Sequence, residues 1–301
     1  MNSVLRVDSL SKSFGQVRAV DRISFEVQEG EIFGILGPNG AGKSTTLAMI
    51  TGLVSADTGT ILLHGFDLRK RPREAKKNLG VLNETPGFYS HLSADDNLRL
   101  FGRFKDSGPT EIRVVLEKVG LSAQRNNKVR TFSQGMRKRL GLANALLGCP
   151  KILILDEPTN GLDPKGTKSI LDLIKSLSTE KNISVVISSN LLNDIEAVCG
   201  RALLIDKGRV LFCESVQDLL KPGENTYLLK VRPLDKALVT LKSLDGVISA
   251  DYADEGSLSI MLSGLTAAEL NRQLVNCGYD ICEFSPTKKT LQELFLQLKD
   301  Q

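Results

Sequence analysis

Residues 31–36 read EIFGIL, 37–44 read GPNGAGKS, and the chain continues TTLAMITGL. A compact apolar run, a glycine-rich turn and a helical segment ending near Gly52 follow without a gap. That order commits this part of the chain to a buried strand feeding a helix. The turn matches G-x-x-x-x-G-K-[ST] in the context the pattern requires. Its glycines let the backbone curl so that N–H groups converge, and the helix N-terminus adds partial positive charge. The loop Gly37, Pro38, Asn39, Gly40, Ala41, Gly42, Lys43, Ser44 and Thr45 is therefore a candidate phosphate cradle. Lys43 suits the β- and γ-phosphates of a nucleotide, and Ser44 suits Mg2+.

Two further runs, KILIL at 151–155 and SVVIS at 184–188, are continuously apolar. Such runs fit strands buried on both faces of a mainly parallel sheet. The first ends in two acids. Asp156 is placed to hold Mg2+ through water, and Glu157 is the candidate general base for an attacking water. The second stops on Ser188, Ser189 and Asn190, and strand tips are where α/β proteins put chemistry.

The rest of the chain organises around these pieces. VLRVDSL and AVDRISFEV are early β-rich runs, and RALLID with KGRVLF predicts a hairpin. Residues 88–145 carry a helical pattern, which predicts a helical insert in an α/β body spanning 1–220. KPGEN, 221–225, predicts a linker. Beyond it, residues 221–301 predict a strand–helix–strand–strand–helix–strand order and a last helix, LQELFLQL. That order suggests a small α+β domain of ferredoxin-like type.

Composition narrows the function classes. A net charge of +4 is too mild to indicate nucleic acid, and the basic run RKRPREAKK at 69–77 reads as a solvated face. Five cysteines without a CxxC pattern fit reduced thiols rather than a disulfide frame or zinc site. MNSVLRVDSL does not read as a signal peptide. No run approaches the ~18 apolar residues of a spanning helix, so a membrane role must come through a partner.

The motifs together resemble the ATP-binding subunit of ABC transporters over residues 1–220. GPNGAGKST looks like that family's Walker A, ILILDEP like its Walker B with the catalytic glutamate, and GLDP (161–164) like its D-loop. TFSQGMRKRL (131–140) looks like its signature segment. The C-terminal domain with TLQELFLQL resembles the ABC-2 type export branch. The resemblance implies a P-loop NTPase fold that binds ATP and Mg2+. Phe14 in KSFG falls where an aromatic stacks on adenine, the other reading being a core phenylalanine. Ser133 and Gly135 fall where the signature meets the γ-phosphate held by the other subunit, and Asp163 where the D-loop faces that subunit. Ser133 also suits an N-cap. One cradle and one signature cannot close a site alone. Two ATP-binding subunits are expected head to tail around two ATP molecules, with a homodimer favoured and a heterodimer open. Integral membrane subunits are the expected docking partners of the insert. The chain is then cytoplasmic and peripheral on the inner face of the cytoplasmic membrane.

Four positions depart from the family pattern. Gln134 replaces the first signature glycine, and Met136 stands where glutamine is common. Glu84 stands where many members have a glutamine; a carboxylate can bind Mg2+ or water but cannot donate. Asn190 occupies the place of a switch histidine, and neither His64 nor His91 matches that position. Asparagine is uncharged and shorter, so it reaches a γ-phosphate poorly. It also favours N-caps and could start the helix LLNDIEAVC. Glu157, Asn190 and Glu84 are the expected catalytic group, with Ser44, Asp156 and Glu84 around the metal. The expected function is a transport-coupled ATPase slowed by Asn190. The alternative is an ATP-dependent clamp or scaffold of a membrane complex with little turnover.

Overall fold

Alternation of buried and exposed residues builds the first sheet. In β1 (Ser3–Phe14) and β2 (Val17–Gln28), Leu5 and Val7 face Val27 and Phe25 across an antiparallel register. β4 (Thr58–Leu63) pairs with the other edge of β1, and β5 (Phe66–Asp67) closes the four-stranded sheet. The computed structural model describes residues 3–219, 225–254 and 256–286.

Continuous apolar runs build the second sheet. β3 (Ile32–Leu36), β6 (Leu79–Leu82), β7 (Ile152–Asp156), β8 (Ser184–Ser189) and β9 (Arg201–Asp206) are parallel. β10 (Arg209–Ser215) turns back on β9 as the expected hairpin. The order is β10-β9-β3-β8-β7-β6, so β8 lies between β3 and β7. All five residues of β3 and all six of β8 are buried, as strands covered on both faces must be.

Several helices start where their sequence directs. α1 (Lys43–Ile50) leaves the glycine loop, and the one-and-a-half-turn α2 (Pro72–Lys76) lies within the exposed basic run. Ser93 caps α3 (Ala94–Gly102) by accepting from the Asp96 N–H, with Asp95 and Asp96 in the first turn where negative charge is favoured. α4 (Pro109–Lys118) opens on a proline, and α5 (Gln134–Leu146) is capped by Ser133 through the Met136 N–H. These three helices make up the insert. α6 (Pro164–Lys181) and α7 (Leu192–Val198) complete the first unit, and the single-turn α8 (Val216–Leu219) starts at its last residue.

The chain divides into two compact units, Met1–Val216 and Gln217–Gln301. The second contains β11 (Thr226–Arg232), α9 (Leu234–Ser243), β12 (Val247–Asp254), β13 (Ser257–Leu262), α10 (Ala267–Asn276) and β14 (Asp280–Pro286). Its antiparallel sheet runs β12-β13-β11-β14, and Leu229, Val231, Leu241, Leu258, Ile260, Leu270 and Leu274 form its own core. This is the ferredoxin-like arrangement. The KPGEN segment, except Asn225, and the helix expected at LQELFLQL lie outside the described residues. No helix of the described residues is long and apolar enough to cross a membrane.

Ile187 sits at the centre of β8, fully buried between β3 and β7. Ile187→Ala should lower the unfolding free energy by about 2–5 kcal/mol, read from urea denaturation.

Candidate nucleotide-binding site

The glycine loop forms the turn its sequence requires. Gly42 has φ 106°, and a Cβ there would stand 2.5 Å from the Ala19 carbonyl oxygen, so only glycine fits. α1 begins at Lys43, which leaves the N–H groups of its first turn without partners inside the helix. The Lys43 side chain is only 6% exposed. Its Nζ donates to the carbonyls of Gly37 (2.8 Å) and Pro38 (3.3 Å) and pairs with Glu157 Oε1 at 3.3 Å.

The tip of β8 organises the two acids at the tip of β7. Ser188 Oγ donates to Asp156 Oδ1 at 2.6 Å and accepts from the Glu157 N–H at 2.9 Å. Ser44 Oγ donates to the same Asp156 oxygen at 3.2 Å. A serine hydroxyl touching a strand-end carboxylate is a hard oxygen pair of the kind Mg2+ takes, so the residues fit the metal that the motifs imply. Glu157 is buried and adopts φ 46°, in the left-handed region that a non-glycine residue seldom enters.

Asn190 meets both halves of the site. Its backbone N–H donates to Glu157 Oε2 at 3.4 Å, and its side-chain amide donates to Asn39 Oδ1 at 3.4 Å. The N-cap expectation is overturned. α7 starts after Leu191, no side chain caps it, and the Asn190 amide is turned to the glycine loop instead. His64 lies between β4 and β5, and His91 packs edge-on against Tyr89.

A cleft of ≈ 440 Å³ collects the central residues. Asn39 to Thr45, Glu84, Glu157, Asn160 and Asn190 line it, with Ala19 at one side. Glu84 is exposed to this cleft and accepts from Asn160 Nδ2 at 3.1 Å. Ser133, Gly135, Asp163 and Phe14 are not among the lining residues. Asp163 caps α6 by accepting from the Gly166 N–H at 3.1 Å. Phe14 is 52% exposed at the end of β1, with the Lys12 ammonium 5.4 Å from its ring centre, so it is not a core residue.

Several residues that shape the site carry no motif. Besides Ser188, Thr159 Oγ1 makes a short hydrogen bond to buried Asp194 and so ties the segment after β7 to α7. Gln134 Nε2 donates to the Asn160 carbonyl at 3.2 Å, joining the start of α5 to the loop before α6. Lys138, only 4% exposed, donates to the carbonyls of both Glu84 and Glu157. A run of basic letters concealed Lys138; only its burial sets it apart.

Residues 20–160 match the family described as ABC transporter. The chain is 37% identical to the uncharacterized ABC transporter ATP-binding protein YhcH of Bacillus subtilis (strain 168), over 99% of this chain and 96% of that protein. It belongs to the ABC transporter ATP-binding family. It is also 35% identical to the bacitracin transport ATP-binding protein BcrA of Bacillus licheniformis, over 99% of this chain and 98% of that one. Among solved structures, it is similar to the dimeric post-hydrolysis state of the ATP-binding cassette MJ0796 bound to ADP and Pi. That likeness has a TM-score of 0.65 and 25% identity, and it covers 70% of this chain and 98% of that one. The first unit is thus an ABC cassette.

Ser188 supports the cassette's acids without lining the cleft itself. Ser188→Ala should lower ATP turnover about 10–100-fold, as removal of a partner behind a metal ligand does. ATP binding measured without divalent metal should stay close to wild type.

Proposed function

We propose that this chain is the ATPase of an export-type ABC transporter, closing head to tail with a second copy of itself around two ATP molecules. One observation carries the proposal: two separate motifs meet at one cleft, where Lys43 pairs with Glu157 and Ser44 donates to Asp156. In that cleft the backbone N–H groups of Asn39 to Thr45 and the Lys43 ammonium take the phosphate oxygens. Ser44, Asp156 and Glu84 would hold Mg2+, which when bound would offset the charge on those oxygens. Glu157 accepts the proton of the water that attacks the γ-phosphorus. Phe14, exposed at the end of β1, stacks on adenine. Ser133, Gly135 and Asp163 lie outside the chain's own cleft, which supports their acting on the partner copy's nucleotide.

Asn190 makes turnover slow. Its amide is neutral and sits on Asn39, where the family has a histidine reaching for the γ-phosphate. Losing one preorganised donor to developing charge lowers rates by about 10²–10³. The likeness to bacitracin transport proteins supports export. The insert offers the docking surface for a membrane subunit, which places the chain on the inner face of the cytoplasmic membrane. Phe88 and Tyr89 pack against Phe101 at 6.0 and 6.4 Å, and Tyr89 (49%) and Phe104 (85%) present exposed rings.

Two measurements on the purified full-length chain test the proposal. Lys43→Ala should weaken ATP binding about 10–100-fold by calorimetry, since it removes charge-assisted hydrogen bonds. Asn190→His should raise steady-state turnover by up to about 10²-fold. Equal turnover would show that Asn190 is not limiting. ATP-driven dimerisation of wild type with no hydrolysis at all would favour the clamp over the ATPase.

A further inference from the structure

The segment MRKRL, 136–140, holds three basic residues that look alike in sequence. Their surroundings differ. Arg137 is exposed. Arg139 faces away from the cleft, donating to the Val119 carbonyl at 2.9 Å and to Ser169 Oγ at 2.6 Å, so it joins α5 to α4 and α6. Lys138 is buried toward the nucleotide side. Its Nζ donates to the Glu84 carbonyl at 2.6 Å and to the Glu157 carbonyl at 2.8 Å. Burial draws its pKa below the ordinary lysine value, while the carboxylates of Glu84, Asp156 and Glu157 oppose that shift.

Close packing makes this reach possible. A Cβ on Gly141 of α5 would stand 2.4 Å from Leu82 Cδ1, and one on Gly80 of β6 would stand 2.2 Å from the Ala145 carbonyl oxygen. Two glycines therefore let α5 lie directly on β6, and the Lys138 ammonium arrives between two loops that flank the cleft. A buried ammonium is costly unless its hydrogen bonds are made. Here the partners are backbone carbonyls.

The second carbonyl belongs to the most unusual residue of the site. Glu157 has φ 46°, and such a conformation persists only where the surroundings hold it. Both of its backbone polar groups are held: its N–H by Ser188 Oγ and its carbonyl by Lys138 Nζ. We infer that Lys138 is a positioning residue for hydrolysis, whose ammonium bonds the Glu84 and Glu157 carbonyls together and so keeps the Glu157 carboxylate aimed into the cleft. The inference rests on Glu157 being the general base. It also makes the signature helix a mechanical support of its own subunit's base.

The test compares Lys138→Met, Lys138→Gln and Glu157→Gln in the purified full-length chain. Lys138→Met keeps length but removes the donors. It should lower kcat about 10–100-fold, as loss of a residue behind a catalytic group does. KM and the Kd for ATP should stay close to wild type. Lys138→Gln keeps a shorter donor and should fall between the two. If Lys138→Met does not fold, Lys138→Gln carries the same split between kcat and KM. A wild-type kcat in both variants overturns the inference, as does loss of ATP binding in proportion to kcat. Glu157→Gln separates the two levels: if it too turns over normally, the assignment of the base fails. If it is inactive while the Lys138 variants are normal, only the inference falls.

Discussion

The Lys43 ammonium is the charge around which the site is arranged. It is nearly buried, so it needs close oxygen partners. The carbonyls of Gly37 and Pro38 supply two, and these point inward only because the glycine loop curls back over its own helix. The third partner is the Glu157 carboxylate, from a strand more than a hundred residues away in sequence. The Lys43 cation and the Glu157 carboxylate are thereby held side by side. Both face one cleft.

Sheet order makes that meeting possible. β8 lies between the strand that feeds the glycine loop and the strand that ends in the acids. Its tip therefore touches both. Ser188 takes the acid side, bonding Asp156 and the Glu157 backbone, and Asn190 bridges Glu157 and Asn39. From this tip the Asn190 side chain reaches the glycine loop. An amide there settles on a neighbouring asparagine at the rim, where a longer ring would extend further.

Legibility from the sequence followed the range of the interactions. The glycine loop, the strand-end acids and the Ser133 cap depend on residues close together in the chain, and each could be read from its letters. The ferredoxin-like order of the second unit was legible for the same reason, because its strands and helices carry clean periodic patterns. Contacts across the sheet or between insert and body were not. Ser188 stands at a strand tip with no partner visible in the sequence, and Thr159 and Lys138 belong to no site the letters mark. Asn190 was misjudged as a possible cap because its letter suits one. The actual helix starts two residues later, and a tertiary partner took the amide.

Two of the departures from the family pattern are joined physically. Gln134 stands in place of a glycine and Glu84 in place of a glutamine, and Asn160 bonds both. Its carbonyl accepts from Gln134, and its side-chain amide donates to Glu84. A glycine at 134 could offer no side chain to Asn160. A glutamine at 84 could still accept through its carbonyl, but it would bring no negative charge to the cleft. The Gln134 amide covers Gly161, where a Cβ would stand 2.1 Å from Gln134 Nε2. So the signature start, the loop before α6 and Glu84 form one hydrogen-bonded chain, and Lys138 continues it through the Glu84 backbone to Glu157. The substituted residues are therefore best understood as parts of one connected arrangement. A glycine at 134 would remove the bond to the Asn160 carbonyl, whereas a glutamine at 84 would keep the Asn160 bond and remove only the charge.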